Sequence, residues 1–185
     1  LEHQTRLRPV EIMADTAGVS EVVCGVLWLL GSPCSPRLAD IGAARFWRRD
    51  PTADDGVFNG MARARVHTKL IRQHWDDVLR IAGSLHQGPV SASARMRALL
   101  RSTRPSTLAQ ALAALGRMPQ TLSLLTSSDD ESSRRRILTQ LHRGESRHSV
   151  ARAVFHGQRG SLRQRYLEGQ EDPLGSLGLV VNAIV

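Results

Sequence analysis

The first thirty residues combine a short extended pattern with a buried helical one. Residues 10–14 are largely apolar and end at Asp15, which predicts a β-strand. Residues 16–18 predict a tight turn, and residues 19–30 predict a buried helix that Ser20 can cap. Open α/β folds commonly carry site residues at the carboxyl end of a strand before such a turn. Taken alone, Asp15 is more often a turn or capping residue.

Residues 31–55 show no sustained period. Prolines at positions 33, 36 and 51 interrupt this segment, and we expect only two short strands there, over residues 37–40 and 45–47. Asp54 and Asp55 precede Gly56, and this order predicts a turn.

Beyond this segment the pattern becomes helical. Apolar side chains recur at helical spacing over residues 67–86, which predicts one helix there. Its predicted apolar face consists of Ile71, Trp75, Val78, Ala82 and Leu85. The adjacent acids Asp76 and Asp77 predict salt bridges to Arg72 or Arg80.

Three further helices are predicted, ending near residues 100, 125 and 141. Ser106 opens the second of them, and we expect Pro119 to kink or interrupt it. Residues 127–133 then predict a polar turn before the third. The basic run at the start of the third helix, Arg134, Arg135 and Arg136, contacts phosphate in one interpretation and forms a solvated face in the other.

Residues 142–160, HRGESRHSVARAVFHGQRG, hold a second group of polar side chains. We expect Gly144 to break the preceding helix, so that Glu145 stands at the start of the next one. Steps of three or four residues from Glu145 predict one polar face of His148 or Ser149, Arg152 and His156. The apolar residues expected on the other side are Val150, Ala151, Val154 and Phe155. A carboxylate leading a basic face fits a metal-and-phosphate site, and a solvated face explains the same pattern.

The remaining residues predict a basic helical turn over 162–166 and a loop over 168–178. The chain begins at Leu1 rather than Met and stops within an apolar run, so we expect it to be part of a longer sequence.

Composition adds a strongly basic, arginine-rich character. The 185 residues carry 25 Lys and Arg against 17 Asp and Glu, the net charge is +8, and Lys69 is the only lysine. Guanidinium groups bind phosphate through paired hydrogen bonds, so this charge predicts a phosphate-bearing partner. A GC-rich genome would explain the ratio of Arg to Lys but not the net charge. Hydrophobic residues make up 41% and aromatic ones 4%, which predicts one mostly aliphatic core.

The cysteines and the apolar runs indicate the compartment. Cys24 and Cys34 have no CxxC spacing and no His cluster beside them, so we expect ordinary buried thiols rather than a metal site or a disulfide. The longest apolar run, residues 22–30, is too short to span a membrane. We therefore expect a cytoplasmic protein without a membrane partner.

Asp15 and Glu145 are of the residue type that phosphoryl transfer to or from DNA requires. Such reactions are commonly run by two divalent ions held by carboxylates, and Mg²⁺ prefers hard oxygen ligands. A complete site needs a third acid on a neighbouring strand. Glu11 points to the same face as Asp15, but four extended residues separate them by roughly 13 Å, whereas the ions lie only about 4 Å apart. Glu11 is therefore a poor substitute for the third acid.

Several motifs together resemble one family. Residues 142–185 look like the end of the catalytic domain of Tn-three-type replicative transposases, and ADTAG at 14–18 resembles the second-aspartate motif of that family. SPRLAD at 35–40, ARFWR at 44–48 and HWDDVLRIAGSLHQG at 74–88 resemble the blocks between them. The motifs occur in the order of the family over nearly the whole chain, which no single motif could establish.

The resemblance implies an α/β fold for residues 1–185: part of a ribonuclease-H-like fold with a mainly helical insertion over about residues 56–140, predominantly α in this fragment. The family uses an Asp-Asp-Glu triad. Asp15 corresponds by motif to the second Asp and Glu145 to the Glu. The first Asp belongs to an earlier strand, in a part of the family's domain that this chain does not contain.

The function implied is bacterial DNA transposition. The intact enzyme would nick transposon ends and join the freed 3′-hydroxyls to target DNA, using Mg²⁺ or Mn²⁺, and would act as a homodimer. Asp15 and Glu145 would ligate the metal, and Arg147, His148 and Arg152 would contact DNA phosphate or serve a structural role.

Two alternatives stay open at this point: a non-catalytic basic helical DNA-binding module, and an inactive gene remnant. Ser123 and Thr126 stand where the family tends to carry aromatic residues, as do residues 32–34, which fits a remnant or a diverged active copy. Without neighbouring strands and helices, we expect the isolated chain to fold poorly or to aggregate.

Overall fold

The structure is a computed structural model of the chain. It describes residues 9–15, 20–38, 44–88, 92–100, 105–155, 169 and 171–184. The chain divides into two compact units, Leu1–Ile137 and Leu138–Val185.

Helices dominate both units, and the strands are short. In chain order the first unit contains β1 (Ile12–Ala14), α1 (Glu21–Leu29), β2 (Cys34–Pro36), β3 (Phe46–Arg48), a 3-10 helix (Gly56–Met61), β4 (Ala62–Arg65), α2 (Thr68–Gln73), α3 (Trp75–His86), α4 (Ala92–Leu100) and α5 (Thr107–Asp129). Helix α6 (Glu131–Val154) starts in the first unit and continues into the second, which also contains α7 (Glu171–Ile184). The strands form two parallel pairs, β1–β2 and β3–β4. The protein is therefore mostly helical with small parallel sheets, which agrees with the expected α/β class.

The predicted first strand and helix are confirmed. Ile12 of β1 pairs with Cys34 of β2, and α1 connects the two parallel strands. Ser20 caps α1, because its side-chain oxygen accepts the backbone N–H of Val23 at 3.3 Å. The predicted turn at 16–18 lies outside the described residues.

Helix α1 packs against α5 at a pair of glycines. A Cβ atom at Gly116 would overlap the backbone carbonyl of Glu21, and one at Gly25 would lie 3.1 Å from the backbone nitrogen of Gly116. The two helix backbones are therefore closer than any side chain would permit. Aliphatic side chains of α1, α2, α3 and α5 form the surrounding core: Val22, Val26, Ile71, Val78, Ile81, Leu85, Leu112 and Leu115.

The single helix predicted over residues 67–86 is wrong in one respect. It divides into α2 and α3 at His74, whose φ of −110° and ψ of 17° leave the helical region. Ile81 rather than Ala82 becomes a core residue, and Trp75 is 40% exposed. Because the helix breaks at His74, the buried face of α3 differs from the apolar face that an unbroken helix would have. The predicted bridge between Asp77 and Arg80 is present at 2.9 Å.

A strand, β2, ends just before the one predicted at 37–40; Arg37 and Leu38 are not in a strand, and residues 39–40 lie outside the described residues. The backbone N–H of Arg37 donates to the carbonyl of Ala14 at 2.8 Å, the last bond between the two strands. The strand predicted at 45–47 is confirmed within one residue by β3. The turn at Asp54 is confirmed by its side chain, which accepts the N–H of Gly56 at 2.9 Å.

The expected interruption at Pro119 and the expected turn at 127–133 are both wrong. Helix α5 continues through Pro119 to Asp129, and only Asp130 separates it from α6. A proline removes one intrahelical bond, and the burial of Leu112, Leu115 and Leu124 along the same helix offsets that cost. Tertiary packing therefore outweighs the local break signal.

The expected break at Gly144 is also wrong, and so is the expected loop from residue 171 to residue 178, where α7 lies. Gly144 lies inside α6, so Glu145 stands in mid-helix rather than at a helix start. An exposed helical glycine costs only about 1 kcal/mol relative to alanine, too little to end a helix of this length. Pro173 is in the first turn of α7, where its missing N–H has no intrahelical partner to lose. No helix in the described part of the chain has the length and apolarity needed to cross a membrane.

Candidate metal and nucleic-acid site

Asp15 lies at the carboxyl end of β1, as the sequence predicts. It directly follows Ala14, whose carbonyl makes the last bond to β2. Asp15 is exposed and belongs to the first unit. Its carboxylate thus stands at the edge where the parallel pair ends, which is where ligands bind in open α/β sheets.

Glu145 lies in a groove of the second unit. The groove has a volume of about 400 Å³ and is lined by Glu145, His148, Ala151, Arg152, Phe155 and Leu177. The structure therefore brings together Glu145, His148 and Arg152, three of the predicted site residues. They follow one another at helical spacing on α6, so the helix alone sets their order along the groove.

The separation of polar and apolar faces on α6 is less clean than predicted. Ala151 and Phe155 were expected on the opposite side, yet both line the groove with Glu145. Val154, also expected to dock on a core, is 40% exposed. The groove is consequently amphipathic: a carboxylate, an imidazole and a guanidinium line it together with the apolar side chains of Ala151, Phe155 and Leu177. His156 lies outside the described residues.

Arg147 is held by α7. Its Nη2 donates to Oδ1 of Asn182 at 2.8 Å, beside a cavity of about 330 Å³ that His148 also lines. Val181, adjacent to Asn182, is the most buried apolar residue of α7 at 2% exposure. Arg147 therefore has a structural partner that the sequence did not reveal.

The two predicted metal ligands belong to different units, Asp15 to the first and Glu145 to the second. Among the described residues, no group of three or more His, Cys, Asp or Glu side chains is placed to hold a metal ion. Carboxylate oxygens match the preference of Mg²⁺ for hard ligands. The donor chemistry thus fits a divalent ion, while these two side chains supply only part of a ligand set.

Glu11 is committed to a different interaction. Its carboxylate forms an ion pair with Arg136 of α6 and accepts a hydrogen bond from the hydroxyl of Ser35. Burial raises the pKa of Glu11, but the bonds from Arg136 and Ser35 outweigh burial and hold the pKa below its usual range. Because the Glu11 carboxylate already binds Arg136 and Ser35, its position agrees with the prediction that Glu11 is a poor third acid.

Sequence reasoning missed two arrangements in the first unit. The Glu11–Arg136 pair joins residues 125 positions apart, which no local pattern could have found. The ring of Trp47 lies below two guanidinium groups, with Arg63 Cζ at 6.0 Å and Arg117 Cζ at 5.6 Å from its centroid. In the sequence, the only sign of this stacking was that Trp47 stands among arginines in the ARFWR block.

The two cysteines are buried thiols, as expected, and they contact one another. Their Sγ atoms are 2.6 Å apart. The hydrogen bond between them lowers the pKa of Cys24, because one thiol donates to the thiolate of the other. The same bond, together with burial, raises the pKa of Cys34.

Comparison with known proteins identifies relatives along the entire chain. A family model described as Tn3 transposase DDE domain matches residues 1–185. The chain is 56% identical over 185 residues to the transposase for transposon gamma-delta of Escherichia coli (strain K12), covering 100% of this chain and 18% of that protein. It is 46% identical over 178 residues to the transposase for transposon Tn4556 of Streptomyces fradiae, covering 96% and 20%.

A third relative, the transposase for transposon Tn1546 of Enterococcus faecium, is 36% identical over 184 residues, covering 100% of this chain and 19% of that protein. The chain therefore spans about a fifth of the length of the curated relatives it matches. No solved structure matches it.

Proposed function

The chain belongs to the Tn3 transposase DDE domain family, and on that premise we propose that it is the C-terminal part of the catalytic domain of a DNA transposase. The proposed enzyme nicks transposon ends and joins the freed 3′-hydroxyls to target DNA. The full-length match to the family model and the three relatives, each named as a transposase, support this proposal. We also propose a ribonuclease-H-like fold with a helical insertion near residues 56–140; the parallel pair β1–β2 with its crossover helix supports it.

The observation that carries the proposal at the level of residues is the groove on α6. It combines the carboxylate of Glu145 with the imidazole of His148 and the guanidinium of Arg152. A guanidinium binds a phosphate oxygen pair with two parallel hydrogen bonds, while a carboxylate alone would repel a phosphate. We propose that Arg152 and His148 hold the DNA backbone beside Glu145, and that Arg147 adds a contact from the neighbouring cavity.

Asp15 and Glu145 are the proposed metal ligands, for Mg²⁺ or Mn²⁺. When bound, the divalent ion supplies activation of the attacking hydroxyl and stabilisation of the leaving oxygen. The chain itself contributes two positioned carboxylates. Asp15 follows the end of β1, and Glu145 lies in the interior of α6; these positions support the proposed roles. The third acid is proposed to come from the longer protein.

The test uses the full-length protein, with cleavage and strand transfer measured on labelled transposon ends. Glu145→Gln and Asp15→Asn keep the size of each side chain and remove its charge, so we expect loss of both reactions by at least about a hundredfold. Binding of the DNA ends should persist. Glu131→Gln is the matched control, because Glu131 is an exposed acid of the same helix paired with Arg135 at 2.8 Å. Activity of Glu145→Gln equal to that of the control would refute the proposed role.

The same assay separates the catalytic proposal from a DNA-binding module. A module without catalysis would bind DNA with strong salt dependence, and it would respond to neither chelation of metal nor removal of the two carboxylates. The proposed homodimer is tested by measuring the mass of the full-length protein with and without transposon ends.

A further inference from the structure

The sulfur atoms of Cys24 and Cys34 are in direct contact in the first unit. Cys24 lies on α1 and is 0% exposed, and Cys34 opens β2 and is 4% exposed. Together with Leu27 they form a small core of their own. A 2.6 Å separation of the two Sγ atoms compares with about 2.05 Å in a disulfide.

The surroundings favour a bond between the two sulfurs over a metal site. The amide of Gln120 lies 3.6 Å from the Cys24 sulfur, and among the described residues no third His, Cys, Asp or Glu joins the pair as a metal ligand. Each sulfur therefore has the other as its nearest reactive partner. We propose that Cys24 and Cys34 are a reversible disulfide site, oxidised by a low-molecular-weight disulfide.

The chemistry proceeds through two thiol–disulfide exchanges. In the first exchange Cys34 loses its proton and the resulting thiolate attacks one sulfur of the small disulfide; the S–S bond of the oxidant breaks, and the thiolate that leaves takes up a proton. The Cys24 sulfur then attacks the Cys34 sulfur of the mixed disulfide, and the second thiol leaves with the Cys24 proton. The protein loses two hydrogens and two electrons, and the oxidant gains both.

Cys34 comes first because it lies beside a cavity, although Cys24 is the thiol with the lower pKa. Cys34 lines a cavity of about 160 Å³ together with Trp28 and Ser35, whereas the Cys24 side chain has no exposed surface. In the proposed order the cavity side of Cys34 meets the oxidant first, and Cys24 completes the bond from inside the core.

The bond would join α1 to β2, the strand that pairs with β1. Cys34 pairs directly with Ile12 in the parallel register, and β1 ends immediately before Asp15. Oxidation would therefore fix the β1–α1–β2 segment against local opening. This inference concerns the thiols alone and does not depend on the transposase activity.

The experiment treats the full-length protein with oxidised and reduced glutathione over a range of ratios, then blocks free thiols and maps peptides without reduction. Trypsin leaves both cysteines on one peptide, residues 7–37, because Arg8 precedes a proline. Chymotrypsin, which cleaves after Trp28, then separates the two cysteines unless a bond joins them. The matched control is the same protein treated identically after unfolding in urea, where the fold no longer positions the sulfurs.

We expect the joined peptide pair, with an exchange equilibrium at least about tenfold more favourable in the folded protein than in urea, equivalent to about 30 mV for a two-electron couple. Slower hydrogen exchange over α1 in the oxidised form would add support. Two results would overturn the proposal: both cysteines blocked individually at every glutathione ratio, or an equilibrium no more favourable in the folded protein than in urea. Glutathione retained on Cys34 without joining to Cys24 would also overturn it.

Discussion

Replacing Gly116 with alanine tests the closest contact in the first unit. A Cβ atom there would overlap the carbonyl oxygen of Glu21 and lie 2.8 Å from the backbone nitrogen of Gly25. Both neighbours are backbone atoms of α1, so no side chain can rotate away. The helices α1 and α5 must separate, and the core between them, which includes Val22 and Leu112, loses contact.

The size of the effect follows from two opposing contributions. Overpacking of a well-packed core costs typically 1–3 kcal/mol, and occasionally more. Alanine in place of glycine within a helix gains about 1 kcal/mol. Because the overlap is with backbone, we place the overpacking cost at its upper end and expect a net loss of roughly 2 kcal/mol. A loss of that size increases the local opening equilibrium about thirtyfold.

Hydrogen exchange of peptides covering α1 and α5 in the full-length protein measures this opening. Gly83→Ala is the matched control, since Gly83 is also helical but has nothing within 4 Å of the added Cβ atom. The control should exchange as slowly as the unchanged protein or more slowly. Gly116→Ala with protection equal to that of Gly83→Ala would refute the close approach of the two helices.

Three further predictions concern charge and folding. The pKa of Glu11 is lowered in the folded protein, so its ion pair stabilises the fold fully above the unfolded pKa near 4.5, and this contribution is lost as the pH falls through the lower folded pKa. Glu11→Gln should therefore flatten the acid limb of a curve of unfolding free energy against pH. An unchanged acid limb would count against the pair. Arg152→Ala should weaken binding to DNA of every sequence and reduce the slope of the logarithm of the DNA association constant against log salt by about 1. Arg135→Ala, the ion-paired control on the same helix, should leave this slope unchanged. Equal slopes for the two variants would contradict the phosphate contact. The isolated 185-residue chain should fold poorly or aggregate, and a sharp, cooperative thermal transition of a monomer would disprove this.

Local signals predicted much of the secondary structure. The strand before Asp15, the helix capped by Ser20 and the helix opened by Ser106 follow from polar caps and from the spacing of apolar residues. Each depends on interactions within a few positions, which the order of residues specifies directly. Membership of the transposase family also follows from the sequence, because several motifs occur in one order.

The same local signals failed where packing outweighed them. Pro119 and Gly144 are break signals of about 3 and 1 kcal/mol, and both lie inside continuous helices. Conversely, His74 carries no strong break signal, yet it divides α2 from α3. The packing contacts of a whole helix outweigh a local conformational preference of this size.

For the candidate site, the sequence determined which residue types were present and the tertiary structure decided what they face. Helical spacing alone grouped Glu145 with His148 and Arg152, and the structure added the apolar side chains that line the same groove. Only the folded chain pairs Glu11 with Arg136 and brings the sulfur atoms of Cys24 and Cys34 into contact. The physical reason is range: spacing fixes neighbours within one element, whereas contacts between elements arise only when their buried faces pack together.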